Sequence, residues 1–107
     1  MAFSTRLEIN QDIAKIVLSG ELDANSAPAF KTEVEKAAAS QPKQLVLMMQ
    51  DLDYMASAGL RVLIYAKQKM GSDVDIYVVG CQEMVADTLK KTGFDQSVFI
   101  VDEFQVA

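Results

Sequence analysis

Hydrophobic and polar positions alternate at the start of the chain and change their period further on. From Phe3 to Ile9, apolar or β-branched side chains alternate with polar ones, which predicts a half-buried strand. A second β-rich segment covers residues 13–19 after a polar turn cluster. The two segments are close enough to form an antiparallel hairpin, and Gly20 is expected to end the second strand.

Helical and strand patterns alternate in the rest of the chain. Apolar residues recur at helical spacing from residue 26 to 39, with Ser26 as a candidate cap and Pro28 in the first turn. The remaining predicted segments are a strand at 45–49, a loop at 50–56, a helix at 57–70, a strand at 76–79, a helix at 82–92 and a strand at 98–101. The order β-β-α-β-α-β-α-β predicts an α/β fold with a mixed, mostly parallel central sheet flanked by helices.

The composition narrows the possible functions. The 107 residues suit a single domain, and the formal net charge of -5 argues against nucleic acid or an anionic membrane surface as the main partner, because both require basic patches. The sequence contains no histidine, which excludes Ser-His-Asp and Cys-His catalysis and histidine-based metal sites. A basic surface is the natural complement in a partner.

The single cysteine and the N-terminal sequence indicate the cellular compartment in which the protein is expected. Cys81 cannot form an intramolecular disulfide or a CxxC motif, which fits a reducing cytoplasm. At a strand-helix junction its thiol could be reactive, although a small buried residue is the more common role. We see neither a signal peptide nor an apolar run long enough to span a membrane, so we expect a cytoplasmic protein.

The segment from Asp51 to Arg61 carries the chemistry of interest because it follows a buried strand and opens a helix. The hydroxyl of Ser57 would lie at the helix N-terminus, where free N–H groups and the helix dipole favour an anion. Two simpler roles remain open at this point. Ser57 could serve only as an N-cap, and Gly59 could serve only to let the helix pack closely on the sheet.

Two short motifs resemble the STAS domain family and, more narrowly, the bacterial anti-sigma factor antagonists. They are Gly20-Glu21-Leu22-Asp23 and, about 30 residues later, Asp51-Leu52 with Met55-Ala56-Ser57-Ala58-Gly59-Leu60. In that family, a G-E-L-D segment follows the second strand and a D-L…M-D-S-S-G-L segment precedes the second helix. The element order predicted above is also the order of the family.

The resemblance implies a partner-switching protein rather than an enzyme. The unmodified antagonist of such systems binds an anti-sigma factor that is also a serine kinase, and a PP2C-type phosphatase reverses the phosphorylation. Ser57 matches the serine that is phosphorylated. The implied partner-binding residues are Asp23, Tyr54, Met55, Ala56, Ser57, Ala58, Gly59 and Arg61.

The chain departs from the family pattern within the motif. Ala56 replaces an aspartate, and Ala58 replaces a second serine, which leaves Ser57 as the only hydroxyl there. The family often has a further helix after the last strand, and little chain remains here to form one. These departures keep open an alternative function as a constitutive STAS interaction subunit, for example of a lipid-transport ATPase, without a phosphorylation switch.

Other chemistry has weaker support in the sequence. Asp23, Asp51 and Asp53 could suggest a Mg²⁺ site, although loop aspartates more often form turns. An enzyme or nucleotide-binding module of another α/β type would need a glycine-rich phosphate loop, which the sequence lacks. We therefore expect neither a metal nor a cofactor.

Overall fold

The computed structural model describes residues 2–104 and confirms the predicted order of elements. The strands are β1 (Ser4–Asn10), β2 (Ile13–Leu22), β3 (Gln44–Met55), β4 (Asp75–Val79) and β5 (Phe99–Val101). The helices are α1 (Ala27–Ala39), α2 (Ser57–Met70) and α3 (Glu83–Lys91), and a short 3₁₀ helix, Phe94–Gln96, precedes β5.

The five strands lie in the sheet in sequence order. β1 pairs with β2 in the antiparallel direction, and each later pair is parallel. Because successive right-handed crossovers all step in one direction, they place every connecting helix on the same face of the sheet. The core lies between that face and the helices, with Ile16, Leu47 and Val78 facing Phe30, Leu63 and Leu89.

The strands β2 and β3 are both longer than predicted. β2 continues through Gly20 to Leu22, because Gly20 adopts a φ of +88° that an L side chain rarely tolerates. A Cβ at Gly20 would also collide with the carbonyl oxygen of Ala2. The predicted loop at 50–56 is wrong, since β3 pairs with the extended β2 as far as Met55.

Two irregularities in the β2–β3 pairing explain why the sequence pattern of β3 was misleading. The register shifts after Val17 and again after Gly20, and each time β3 contributes one more residue than β2. Such β-bulges interrupt the alternation of side chains and re-aim the residues beside them. The polar residues Asp51 and Asp53 therefore belong to a strand, although their pattern is typical of a loop.

Asp23 holds the turn that leads into α1. Its Oδ1 accepts hydrogen bonds from the backbone N–H groups of Asn25, at 3.0 Å, and Ser26, at 3.1 Å. Ser26 occupies the capping position as predicted, but its hydroxyl accepts from the Asp23 N–H instead of capping the helix. Donation from Ser26 lowers the pKa of the Asp23 carboxyl below its usual value.

We expect Asp23→Ala to lower the melting temperature at neutral pH, because two turn N–H groups lose their acceptor. The ionised carboxylate is favoured in the folded state, so its contribution is complete above the unfolded pKa of about 3.8. It is lost as the pH falls through the lower folded-state pKa. Thermal unfolding of both proteins between pH 7 and pH 3 checks this. Asp73→Ala, in an exposed turn, is the control and should change little; equal losses for the two variants would contradict the assignment.

Candidate partner-binding site

The two motifs meet where β2 and β3 end side by side. Leu22 lies opposite Met55 in the parallel register, and the backbone N–H of Ala56 donates to the carbonyl oxygen of Leu22 at 2.8 Å. This bond joins the residue before Ser57 to the residue before Asp23. Asp23 and Ser57 are therefore brought to one edge of the sheet despite their separation in sequence.

Gly59 lets the first turn of α2 pack directly on the ends of these strands. A Cβ at this position would lie 2.7 Å from side-chain atoms of Leu22 and 2.9 Å from Cγ of Met55. Leu22 is fully buried and Met55 is 5% exposed. Gly59 thus has the close-packing role left open in the sequence. Met55 and Gly59 hold the site together, whereas their exposed neighbours form its surface.

Ser57 is exposed and is the first residue of α2. The capping position belongs to Ala56, whose backbone is extended and which makes no side-chain cap bond. The interpretation of Ser57 as the N-cap is therefore wrong, and its hydroxyl is left accessible. Ala56 and Ala58, on either side of it, are half-buried. The positive end of the helix dipole at this point favours negative charge.

The second bulge of β3 shapes the surface next to Ser57. Tyr54 lies opposite Glu21 and is 41% exposed, while the pairing skips Asp53. The Oδ1 atom of Asp53 accepts a hydrogen bond of 3.3 Å from the side-chain amide of Gln82. Gln82 immediately precedes α3, so the start of this helix joins the site. Sequence reasoning missed Gln82, although its place after β4 puts it at the same edge as Ser57.

The outer face of α2 continues the surface away from Ser57. Arg61, Ile64 and Gln68 follow Ser57 at intervals of three or four residues, and all four are exposed. Ile64 is 39% exposed, which is unusual for a large aliphatic side chain on a helix packed against a sheet. It was also missed from the sequence, and extending the helical period from Ser57 would have found it.

Negative charge collects at this edge of the sheet. Acidic residues occur in the last part of β2 and β3, directly after β2 and at the start of α3, namely Glu21, Asp23, Asp51, Asp53 and Glu83. The lowered pKa of Asp23 keeps its carboxylate ionised. Arg61, which is exposed in the second turn of α2, supplies a positive charge nearby.

Cys81 lies between β4 and α3 and is half-buried. Burial raises the pKa of its thiol, which favours the protonated and less reactive form. Within residues 2–104, no three Cys, Asp or Glu side chains are grouped so that they could hold a metal ion. In the same part of the chain, no helix is long and apolar enough to cross a membrane.

Comparisons with known proteins agree with this geometry. The family profile described as the STAS domain matches residues 4–107. A curated relative, the anti-sigma-F factor antagonist RsfB of Mycobacterium tuberculosis H37Rv, is 25% identical over 85 residues, which cover 79% of this chain and 70% of RsfB.

Solved structures share the fold. A crystal structure of an anti-sigma factor antagonist from Mycobacterium paratuberculosis has a TM-score of 0.87 at 23% identity, covering 96% of this chain and 88% of that one. SpoIIAA in its unphosphorylated form has a TM-score of 0.80 at 16% identity, covering 94% and 90%. The phosphorylated form of the Bacillus protein also matches, with a TM-score of 0.74 at 14% identity and coverage of 94% and 93%. The fold, the two joined motifs and the family match together identify this chain as a member of the STAS domain family.

Proposed function

We propose that the chain is an anti-sigma factor antagonist that works by partner switching in the cytoplasm. Unphosphorylated, it binds an anti-sigma factor that is also a serine kinase; phosphorylation of Ser57 releases it, and a PP2C-type phosphatase restores binding. It acts by binding and serves as a substrate of these two enzymes. The observation that carries the proposal is the exposed Ser57 hydroxyl, which no capping bond occupies, at the first position of α2.

Two comparisons support this proposal. RsfB, the curated relative, is named an anti-sigma-F factor antagonist. SpoIIAA, which shares the fold, has been solved in unphosphorylated and phosphorylated forms. Both fit a family in which one domain carries the partner surface and the modified residue.

The electrostatics of the site suggest how a phosphate would act. It adds about -1.5 to -2 charge at neutral pH. The α2 dipole stabilises this charge in the free protein. In the complex the phosphate would lose its contact with water, which costs free energy. The carboxylates of Asp23 and Asp53 at the same edge are complementary to basic residues on the partner. The bulky phosphate would also hold the surfaces of the two proteins apart. Alanine at position 56 removes one more negative charge that would repel the phosphate.

We expect Ser57 to be the only residue phosphorylated by the cognate kinase. Ala58 offers no hydroxyl, and the Thr88 hydroxyl already donates to the carbonyl oxygen of Met84 at 3.1 Å. Phosphopeptide mapping of the wild-type protein and of Ser57→Ala checks this. Phosphate on Thr88 or Ser97 with none on Ser57 would contradict the assignment. A chain that is never phosphorylated on Ser57 in cells, and that stays bound to its partner throughout, would favour the constitutive STAS subunit.

Charge reversal at the site should weaken partner binding. We expect Ser57→Asp and Asp53→Lys each to lower the affinity about tenfold or more, by adding charge to the contact or by reversing its complementarity. Asp23→Lys is less informative, because Asp23 also holds the turn before α1.

Isothermal titration calorimetry with the anti-sigma factor measures the affinity of each variant. Asp73→Lys, an exposed charge reversal in the turn before β4, is the matched control and should bind like the wild type; a control as damaging as Asp53→Lys would show that the surface is misplaced.

Phosphorylation should change the fold very little. Ser57 is exposed at a helix start, so the phosphate displaces no packed side chain. Amide chemical shifts of the two forms should differ near residues 53–61 and stay constant along the buried segments 45–47 and 76–79. Widespread shifts in those strands would instead indicate a conformational switch.

A further inference from the structure

The two flanks of α2 have different surroundings. On one flank, the Tyr65 hydroxyl donates a hydrogen bond of 3.2 Å to Glu35 of α1, and the Lys31 ammonium lies 4.8 Å from the centre of the Tyr65 ring. On the opposite flank, Lys67 borders a hollow whose other residues belong to β4, the 3₁₀ helix and β5. Ile64 lies one turn before Lys67 on this second flank and is 39% exposed. It therefore lies on the side of α2 that faces α3.

Met84 lies on the flank of α3 that faces α2. Each of these helices connects two parallel strands across the same face of the sheet, so the two helices run in the same direction. In α2, Tyr65 comes directly before the core residue Ala66 and faces the preceding helix, α1. In α3, Met84 comes directly before the core residue Val85, so it faces the preceding helix in the same way. Its side chain is 52% exposed.

The space between α2 and α3, called the α2–α3 gap below, is bordered by Ile64 and Met84. Helix α2 packs along α1 but is much less closely packed against α3. The two apolar side chains therefore border the gap without burying each other, and both remain in contact with water. The hydrogen bond between Asp53 and Gln82 holds the start of α3 beside the end of β3. The gap consequently begins at the edge of the sheet that carries Ser57.

The charge changes sign from one end of the α2–α3 gap to the other. Asp53 and Glu83 are acidic and lie at the end nearest the partner-binding site. Lys67, near the end of α2, and Lys91, the last residue of α3, are basic and lie at the other end. Lys91 follows Met84 by two helical turns and so lies on the same flank of α3. Within residues 2–104, Glu83 and the two lysines form no ion pair, so their charges are available to a partner.

We propose that the α2–α3 gap binds an amphipathic helix of the anti-sigma factor, an inference that rests on the function proposed above. Met84 is in the first turn of α3, whereas Ile64 lies two turns, about 10 Å, from the start of α2. A partner helix along the gap reaches both side chains with apolar residues one or two turns apart. Its basic end lies at the partner-binding site and its acidic end beside the two lysines, so the charges fix its direction.

Isothermal titration calorimetry of the unphosphorylated chain with the anti-sigma factor tests the two apolar contacts. Ile64→Gln and Met84→Gln should each raise the dissociation constant at least about tenfold, because each removes an apolar side chain from the contact. Ile9→Gln is the matched control and should bind like the wild type, since Ile9 is 51% exposed but lies on β1 at the far edge of the sheet. All three side chains are exposed, so the melting temperatures should stay close to that of the wild type. Equal affinities of the three variants would overturn the proposal.

Photo-cross-linking identifies the segment that occupies the gap. We would place p-benzoylphenylalanine at position 84 in one variant and at position 91 in another, and map the cross-linked peptides of the anti-sigma factor by mass spectrometry. Both should belong to one helical segment, with position 84 linked near its basic end and position 91 near its acidic end. Cross-links to two separate segments, in the reverse order, or between two copies of this chain would disprove the arrangement.

The same titrations distinguish a failure of this proposal from a failure of the proposed function. If phosphorylation of Ser57 releases the anti-sigma factor while Ile64→Gln and Met84→Gln bind it normally, the switch is supported and docking in the gap is wrong. If both variants weaken binding while phosphorylation leaves it unchanged, docking in the gap is supported and the switch is wrong. A wild-type chain that binds no anti-sigma factor would overturn both proposals.

Discussion

The hydrogen bond from the Ala56 N–H to the Leu22 carbonyl oxygen fixes the geometry on which the site depends. It ends β3, starts α2 and ties both to the last residue of β2. Gly59 allows the first turn of α2 to rest on the Leu22 side chain, so the backbone bond and the packing act at the same point. The exposed Ser57 hydroxyl then stands on a rigid support. A modification there can alter a surface without disturbing the core.

The connection order of the strands separates the molecule into two distinct surfaces. Since all crossovers step in the same direction, the helices cover one face and leave the other open. The candidate partner-binding edge lies where the strands β2 and β3 end and the helices α1 and α2 begin, whereas an aromatic cluster lies across β4 and β5. The candidate binding edge is therefore distinct from the face of the sheet that the helices leave uncovered.

Local patterns in the sequence predicted most of the fold but missed the details that shape the site. The predicted bounds of α2 were correct because its amphipathic period and its flanking residues indicate the same first and last residues of the helix. The end of β3 was missed because it depends on pairing with β2 across two bulges, and no local pattern encodes a long-range register. The positive φ of Gly20 allows that pairing, although the same residue usually ends a strand. Gln82 and Ile64 could be assigned to the site only from the positions of α3 and α2 in the structure.

In the proposed mechanism, the chemical state of Ser57 controls partner binding through a local change of surface. The most direct measurement is the affinity of one preparation for its anti-sigma factor before phosphorylation, after stoichiometric phosphorylation and after treatment with the phosphatase. We expect tight binding before phosphorylation, a loss of affinity of tenfold or more after it, which corresponds to about 1.4 kcal/mol for each factor of ten, and full recovery after treatment with the phosphatase. Equal affinity in all three states would contradict it, and would leave Ser57 as an exposed residue without a switching role.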